Sequence, residues 1–316
     1  MRLCSRGCIS LTLVLFVGAF GLKAQSTSSA NAIQPQSLAA TPAADSRVVF
    51  LPVLVVDESG RAVTSLTREN LSVAEDGRPQ VIRSFTHDDP PYSIGILLDL
   101  SGSMARRLPL ERAAVLQFLR FSNPQDEFFL MGFSDHPELL VNFTSSRETI
   151  AAGFDHLHVG FQTALYDAIS SGLNKMKEAR YPRRALLLIS DGGDNASHLS
   201  DSEIHHALRQ SSVQVETVGI FDFRAVTLGE RDGPDNLSRI SSNSGGRLLP
   251  VEEPAQAGPA GAALSAALRL SYLLSYTSDN PTAAGEWRKV KVKLSPPKGM
   301  SHLTVHARAG YYAPSR

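Results

Sequence analysis

Two runs in this chain, Ile94-Gly95-Ile96-Leu97-Leu98 and Ala185-Leu186-Leu187-Leu188-Ile189, have no polar alternate. A strand with one wet face alternates between apolar and polar residues. A strand without alternation is covered on both faces, the condition of a parallel sheet held between helices. Strand-like and helix-like segments take turns around these runs. Helical spacing covers 108–121, with Pro109 tolerable in the first turn, then 147–157 and 164–178; residues 200–211 open with Ser200 and Glu203 in a capping-box pattern. Shorter strands are expected at 128–133, 139–143, 213–221 and 248–251, the last behind Gly245-Gly246, which marks a helix stop. The alternation predicts an α/β fold with a doubly wound, mostly parallel sheet over residues 91–270.

The flanks follow a different rule. Residues 48–56 are apolar and β-branched and end in the turn Asp57-Glu58-Ser59-Gly60; segments 71–75 and 80–85 are joined through Asp76-Gly77, a hairpin signal, with Pro79 at the start of the second strand. Asp88-Asp89-Pro90-Pro91 then interrupts regular structure and sets a boundary. Beyond residue 270, strands are expected at 272–276, at 287–294 with Lys289, Lys291 and Lys293 on a wet face, and at 303–308. Neither flank alone has enough strands for a core, but together they offer about six. The expected organisation is a small β-domain built from 47–90 and 271–316 and split by the α/β domain 91–270.

Residues 1–24 have the pattern of an export signal: Arg2 and Arg6 precede an apolar run at 9–22, and Ala24 precedes Gln25. The run is too short to span ~30 Å of hydrocarbon comfortably. Residues 25–46, rich in Ser, Ala, Pro, Gln and Thr, are expected to form a flexible leader. These features predict an exported protein, periplasmic or secreted, with no membrane span after cleavage. Both cysteines, Cys4 and Cys8, fall inside the signal, so the remaining chain would form no disulfide. Lys plus Arg equals Asp plus Glu at 31 each, and removal of Arg2, Arg6 and Lys23 leaves 28 basic residues, a balance that gives no support to nucleic-acid wrapping.

In open α/β sheets, ligands bind outside the carboxyl ends of the strands. Asp99-Leu100-Ser101-Gly102-Ser103 follows the first apolar strand, Asp191-Gly192-Gly193-Asp194 follows the second, and Thr163 stands before the helix at 164. Two carboxylates and three hydroxyls suit a hard divalent cation, which prefers oxygen ligands. With only two negative charges around the ion, an open position would attract a carboxylate from a partner. The segments Asp99 to Ser103, Thr163-Ala164-Leu165-Tyr166-Asp167 and Ser190-Asp191-Gly192 resemble the metal-ion-dependent adhesion site (MIDAS) of von Willebrand factor type A (VWA) domains. The resemblance implies a Rossmann-like fold and a Mg²⁺ or Mn²⁺ held by Asp99, Ser101, Ser103, Thr163 and Asp191, directly or through water. The wider chain resembles exported bacterial proteins in which such a domain follows a β-segment with a Glu-Asp-Gly turn, here Glu75-Asp76-Gly77, and which close on Gly-Tyr-Tyr, here Gly310-Tyr311-Tyr312.

The function expected is that of an exported, non-enzymatic binding protein whose cation engages an acidic side chain of a protein partner. Two alternatives stand beside it. A phosphatase-like, metal-dependent hydrolase would use Asp99 as nucleophile, but such enzymes usually need a second carboxylate two residues on, where this chain has Ser101. A structural module would keep the site only as a vestige. His156, His158, His198, His205 and His206 match no zinc spacing and are expected at the surface; Asp194 is expected to cap a turn or face water. The acceptor patterns at Asn142, Asn195 and Asn236 are short enough to arise by chance.

Overall fold

The structure, a computed structural model, describes residues 48–221, 228–280 and 285–313. The expected export signal, with both cysteines, and the expected leader lie outside the described residues. Among those residues, no helix is long and apolar enough to cross a membrane.

The central sheet is built as the apolar runs require. Strand β5 (Tyr92–Asp99) is buried at all eight positions. It pairs in parallel with β6 (Glu127–Phe133) on one side and with β8 (Arg183–Ser190) on the other. Parallel β9 (Gln214–Ile220) and β10 (Leu248–Val251) extend the β8 side, and β7 (Pro137–Thr144) adds an antiparallel edge to β6, giving the order β10-β9-β8-β5-β6-β7. Helices cover both faces. On one side α1 (Leu108–Phe121) and α6 (Ala257–Arg269) pack over Ile94, Ile96, Leu187 and Ile189, with Ile150 of α2 (Arg147–Ala152) in the same cluster. On the other, α3 (Leu165–Lys175), α4 (Asp201–Gln210) and α5 (Leu228–Ser244) cover Leu97, Leu186 and Leu188. The fold is therefore α/β and doubly wound, as the lack of alternation in the apolar runs requires.

Several elements depart from the sequence expectation for local reasons. The helix expected at 147–157 is α only to Ala152 and tightens into a 3₁₀ turn at Gly153–His156, where glycine offers little helical preference. The helix that stops at Gly245, α5, has 17 residues and contains Pro234, which obscures its pattern. Its stop is a Schellman arrangement, with Gly246 N donating to Ser241 O at 3.0 Å and Gly245 N to Ser242 O at 3.2 Å.

The flanking strands form two further sheets. One has the order β13-β1-β11-β4, from Thr304–His306, Val48–Val56, Tyr272–Thr277 and Ile82–Thr86. The other has the order β14-β12-β2-β3, from Gly310–Tyr312, Trp287–Leu294, Leu71–Glu75 and Arg78–Gln80. Each sheet takes strands from both ends of the described chain. The single strand expected at 80–85 is two: the chain leaves one sheet at Gln80 and enters the other at Ile82, leaving Val81 between them 61% exposed. The β2–β3 turn is Asp76-Gly77, with φ of 47° and 81°, left-handed at both positions as a two-residue hairpin demands.

A buried polar hub joins the flanks. The Glu75 carboxylate, fully buried, accepts from Tyr276 Oη (2.8 Å), Ser278 Oγ (2.6 Å) and Tyr311 Oη (2.8 Å), and lies 3.5 Å from Arg288 Nη1. Charge removed from water at this depth must be met by partners, and here they come from β11 and the residue just past it, from β12 and from β14. Glu75→Ala takes the carboxylate away from a buried guanidinium and three hydroxyls, and is expected to cost about 3–5 kcal/mol in urea unfolding; a loss below ~1 kcal/mol, the scale of an exposed pair, would show that the hub is dispensable.

Candidate metal site at the carboxyl rim

The site is assembled by strand ends. β5 delivers Asp99 at its carboxyl end, and β8, its parallel neighbour, delivers Ser190 and then Asp191. The Asp99 carboxylate, fully buried, accepts from Ser101 N (3.1 Å, Oδ1) and from Ser190 Oγ (2.5 Å, Oδ2). The first loop then turns back so that Ser101 Oγ lies 3.2 Å from Ser103 Oγ, and Ser103 Oγ donates to Asp191 Oδ2 at 2.6 Å. Asp99, Ser101, Ser103 and Asp191 thus share one hydrogen-bonded cluster across two loops.

Thr163 reaches the rim by its backbone. Its N–H donates to Asn195 Oδ1 (2.8 Å), and its carbonyl accepts from the N–H groups of Asn195 (2.9 Å) and Ala196 (3.1 Å), which fixes it against the third loop. Among the described residues, no hydrogen bond links its side chain to the other four. Asp194 caps α3: its carboxylate accepts from Tyr166 N (3.3 Å) and Ser197 Oγ (2.5 Å). The third loop is locked by close backbone approach. Gly192 has a φ of +87°, and a Cβ there would lie 2.4 Å from Gly233 O in α5.

Electrostatically the site is an acid pair short of countercharge. Burial, reinforced by the neighbouring Asp191, pushes the Asp99 carboxyl up to about 7. The cation recorded beside the pair is Arg107, just ahead of α1, whose Nη1 is 3.6 Å from Asp191 Oδ2 and donates to Ile220 O at 3.0 Å. Glu111, a turn further along α1, is fully buried, and neither of its oxygens finds a hydrogen-bond partner among the described residues. Burial first, then Asp99 and Asp191, drive its carboxyl well above the usual carboxylate range. Arg107 and Glu111 belong to no motif in the sequence. Glu111 did carry a signal, because it is the charged member of the apolar series Glu111, Ala114, Val115 and Phe118.

The donor set fits a hard cation. It is oxygen throughout, and two buried neighbouring carboxylates are groups whose charge a cation would offset. Among the described residues no group of three or more His, Cys, Asp or Glu side chains has metal-binding geometry, so hydroxyls would have to complete any coordination here. The histidines take other parts. His198 is exposed against Asp167 at 2.8 Å, whereas His205, expected at the surface, is only 6% exposed, because it faces inward from α4 and meets Asn243 Nδ2 at 2.9 Å.

The third loop yields a direct test of rim geometry. Gly192→Ala places a Cβ against the Gly233 carbonyl at a left-handed φ and is expected to destabilise the fold by about 1–3 kcal/mol in thermal or urea unfolding; an unchanged midpoint would show that the loop relaxes freely.

Residues 94–193 match the family model of the von Willebrand factor type A domain. An uncharacterized protein of Borreliella burgdorferi is 22% identical over 195 residues, covering 54% of this chain and 57% of its own length, so the match spans a little over half of that relative. Among solved structures, the von Willebrand factor type A protein from Catenulispora acidiphila superposes with a TM-score of 0.50 at 11% identity, covering 82% of this chain and 74% of that one. Proximal thread matrix protein 1 from the mussel byssus, in a structure with a zinc-occupied MIDAS motif, gives a TM-score of 0.47 at 16% identity over 61% of this chain and 49% of that one. Over residues 94–193 the α/β part of this chain is thus similar to the von Willebrand factor type A domain.

Proposed function

We propose that this protein is an exported binding protein that holds Mg²⁺ or Mn²⁺ at the carboxyl rim and uses it to engage an acidic side chain of a protein partner. Asp99, Ser101, Ser103, Thr163 and Asp191 would hold the ion. The observation that carries this reading is the shared cluster of Asp99, Ser101, Ser103 and Asp191, with the Asp99 carboxyl raised by burial and by the neighbouring Asp191. Bound there, the cation would supply a Lewis-acidic position open to a partner's carboxylate oxygen. This chain's own residues do the rest: Ser190 and the Ser101 N–H orient Asp99, and Ser103 orients Asp191. The strands of 47–90 and 271–316 would form a single β-domain that carries this module.

The hydrolase alternative is the weaker one on the same geometry. The position two residues beyond Asp99 is a serine with no acid to offer a leaving group.

Calorimetric titration of Mg²⁺ and Mn²⁺ into the protein is expected to show one saturable site, abolished in Asp99→Ala and in Asp191→Ala. At ~100 times its dissociation constant the ion should stabilise the fold by about 2.7 kcal/mol. Absence of binding to the wild type would sink the metal reading.

The pH dependence has a defined sign. The folded Asp99 value lies above its ordinary 3.8, at about 7, so between these values the folded state keeps a proton that the unfolded state releases. Through this group the metal-free protein loses stability as pH rises across that window. Cation binding needs the ionised carboxylate, so the stabilisation by Mg²⁺ should grow over the same window. Asp99→Asn should flatten the metal-free slope, leaving what the other raised carboxyls, Asp126, Glu111, Asp194 and Glu216, and the lowered His205 and His306 contribute. Thermal melts at stepped pH, with and without Mg²⁺, read both effects; a metal-free slope that Asp99→Asn leaves unchanged would contradict them.

A further inference from the structure

At the amino ends of the central strands, across the sheet from the rim, lies a cavity of about 320 Å³. This is the small end of the ~300–1,000 Å³ range of ligand pockets. Its apolar walls come from two layers: Phe50 and Pro52 of β1 with Leu273 of β11, and Tyr92 at the start of β5. Phe50 is 61% exposed, an aromatic ring left at the mouth with little to cover it.

The charge in this cavity is of one sign. Arg183 and Arg184, which open β8, and Arg308 line it, and no acidic residue does. None of the three forms an ion pair among the described residues. Arg308 is spent on structure: its Nη2 donates to the carbonyls of Arg209 (3.1 Å) and Ser211 (3.0 Å), and its Nε to Gly310 O (2.8 Å). Arg183 lies over the Tyr92 ring at 5.6 Å, and Arg184 uses only its Nε, on Tyr181 O at 3.4 Å. Guanidinium donors therefore border an apolar chamber without a carboxylate to neutralise them. Such a site is matched by one anionic head on an apolar body.

We infer that this cavity binds a small amphipathic anion, a carboxylate on a short aliphatic chain, with the head at Arg183 and Arg184 and the chain against Pro52, Tyr92 and Leu273. The site is independent of the rim and of any cation there.

Sodium decanoate titrated into the protein by calorimetry is the test. One saturable site is expected. Arg183→Gln with Arg184→Gln should weaken it about tenfold or more, the scale of one lost charge-assisted hydrogen bond. Ser212→Trp, at an exposed lining position, should block it by filling the chamber from the loop, with circular dichroism reporting an intact fold. Should the arginine pair fail to fold, Ser212→Trp carries the test alone. 1-Decanol should bind at least tenfold more weakly than decanoate. No saturable decanoate binding, binding unaffected by Ser212→Trp, binding unaffected in a folded arginine variant, or equal affinity for decanol would each overturn the inference.

Discussion

Burial of β5 on both faces is the constraint from which the rest of this molecule follows. A strand enclosed at every position cannot end in water, so the aspartate at its carboxyl end is enclosed as well. Taking a carboxylate out of water is costly unless partners meet it, and here the partners are a serine hydroxyl, a backbone N–H and a rim of further hydroxyls. Asp191 arrives beside it because β8 is the parallel neighbour in register. The sheet that stabilises the domain is therefore what gathers negative charge at one edge. Glu111, buried behind that edge with no hydrogen-bond partner among the described residues, extends the same imbalance into the core.

The sequence made the layered architecture legible because unbroken apolar runs have few alternatives. Segments such as β1, α1 and β12 follow their patterns to the residue, since periodicity and turn signals agree there. What stayed hidden depends on long-range packing. Val81 breaks one apparent strand into two because its neighbours belong to different sheets, a fact no local window contains. Pro234 masks a long helix, and His205 turns inward although its neighbour His206 does not. At the rim, Asp99, Ser101, Ser103 and Asp191 were visible as motifs. Their counterparts Arg107 and Glu111 were not, because their role depends on how α1 lies across the strand ends.

The flanks show how two short motifs acquire meaning only in three dimensions. Glu75 precedes the hairpin turn and Tyr311 sits in a three-residue strand 236 residues later, yet they share a hydrogen bond of 2.8 Å. Tyr276, Ser278 and Arg288 close the ring around the same carboxylate. Four different segments thus depend on one buried acid. The requirement that buried polar groups be satisfied explains why a glutamate and two tyrosines lie so far apart in sequence.

The interleaving of the flanks has a mechanical meaning. Tension applied between residue 48 and residue 313 enters through β1 and β14, each of which is paired within a flank sheet that also holds a strand from the opposite end of the described chain. Those sheets lie in the load path ahead of every strand of the central sheet. Pulled between these two residues, the chain would first peel the flank sheets while the carboxyl rim kept its shape, so the rim and the first resistance to pulling reside in separate parts of one chain.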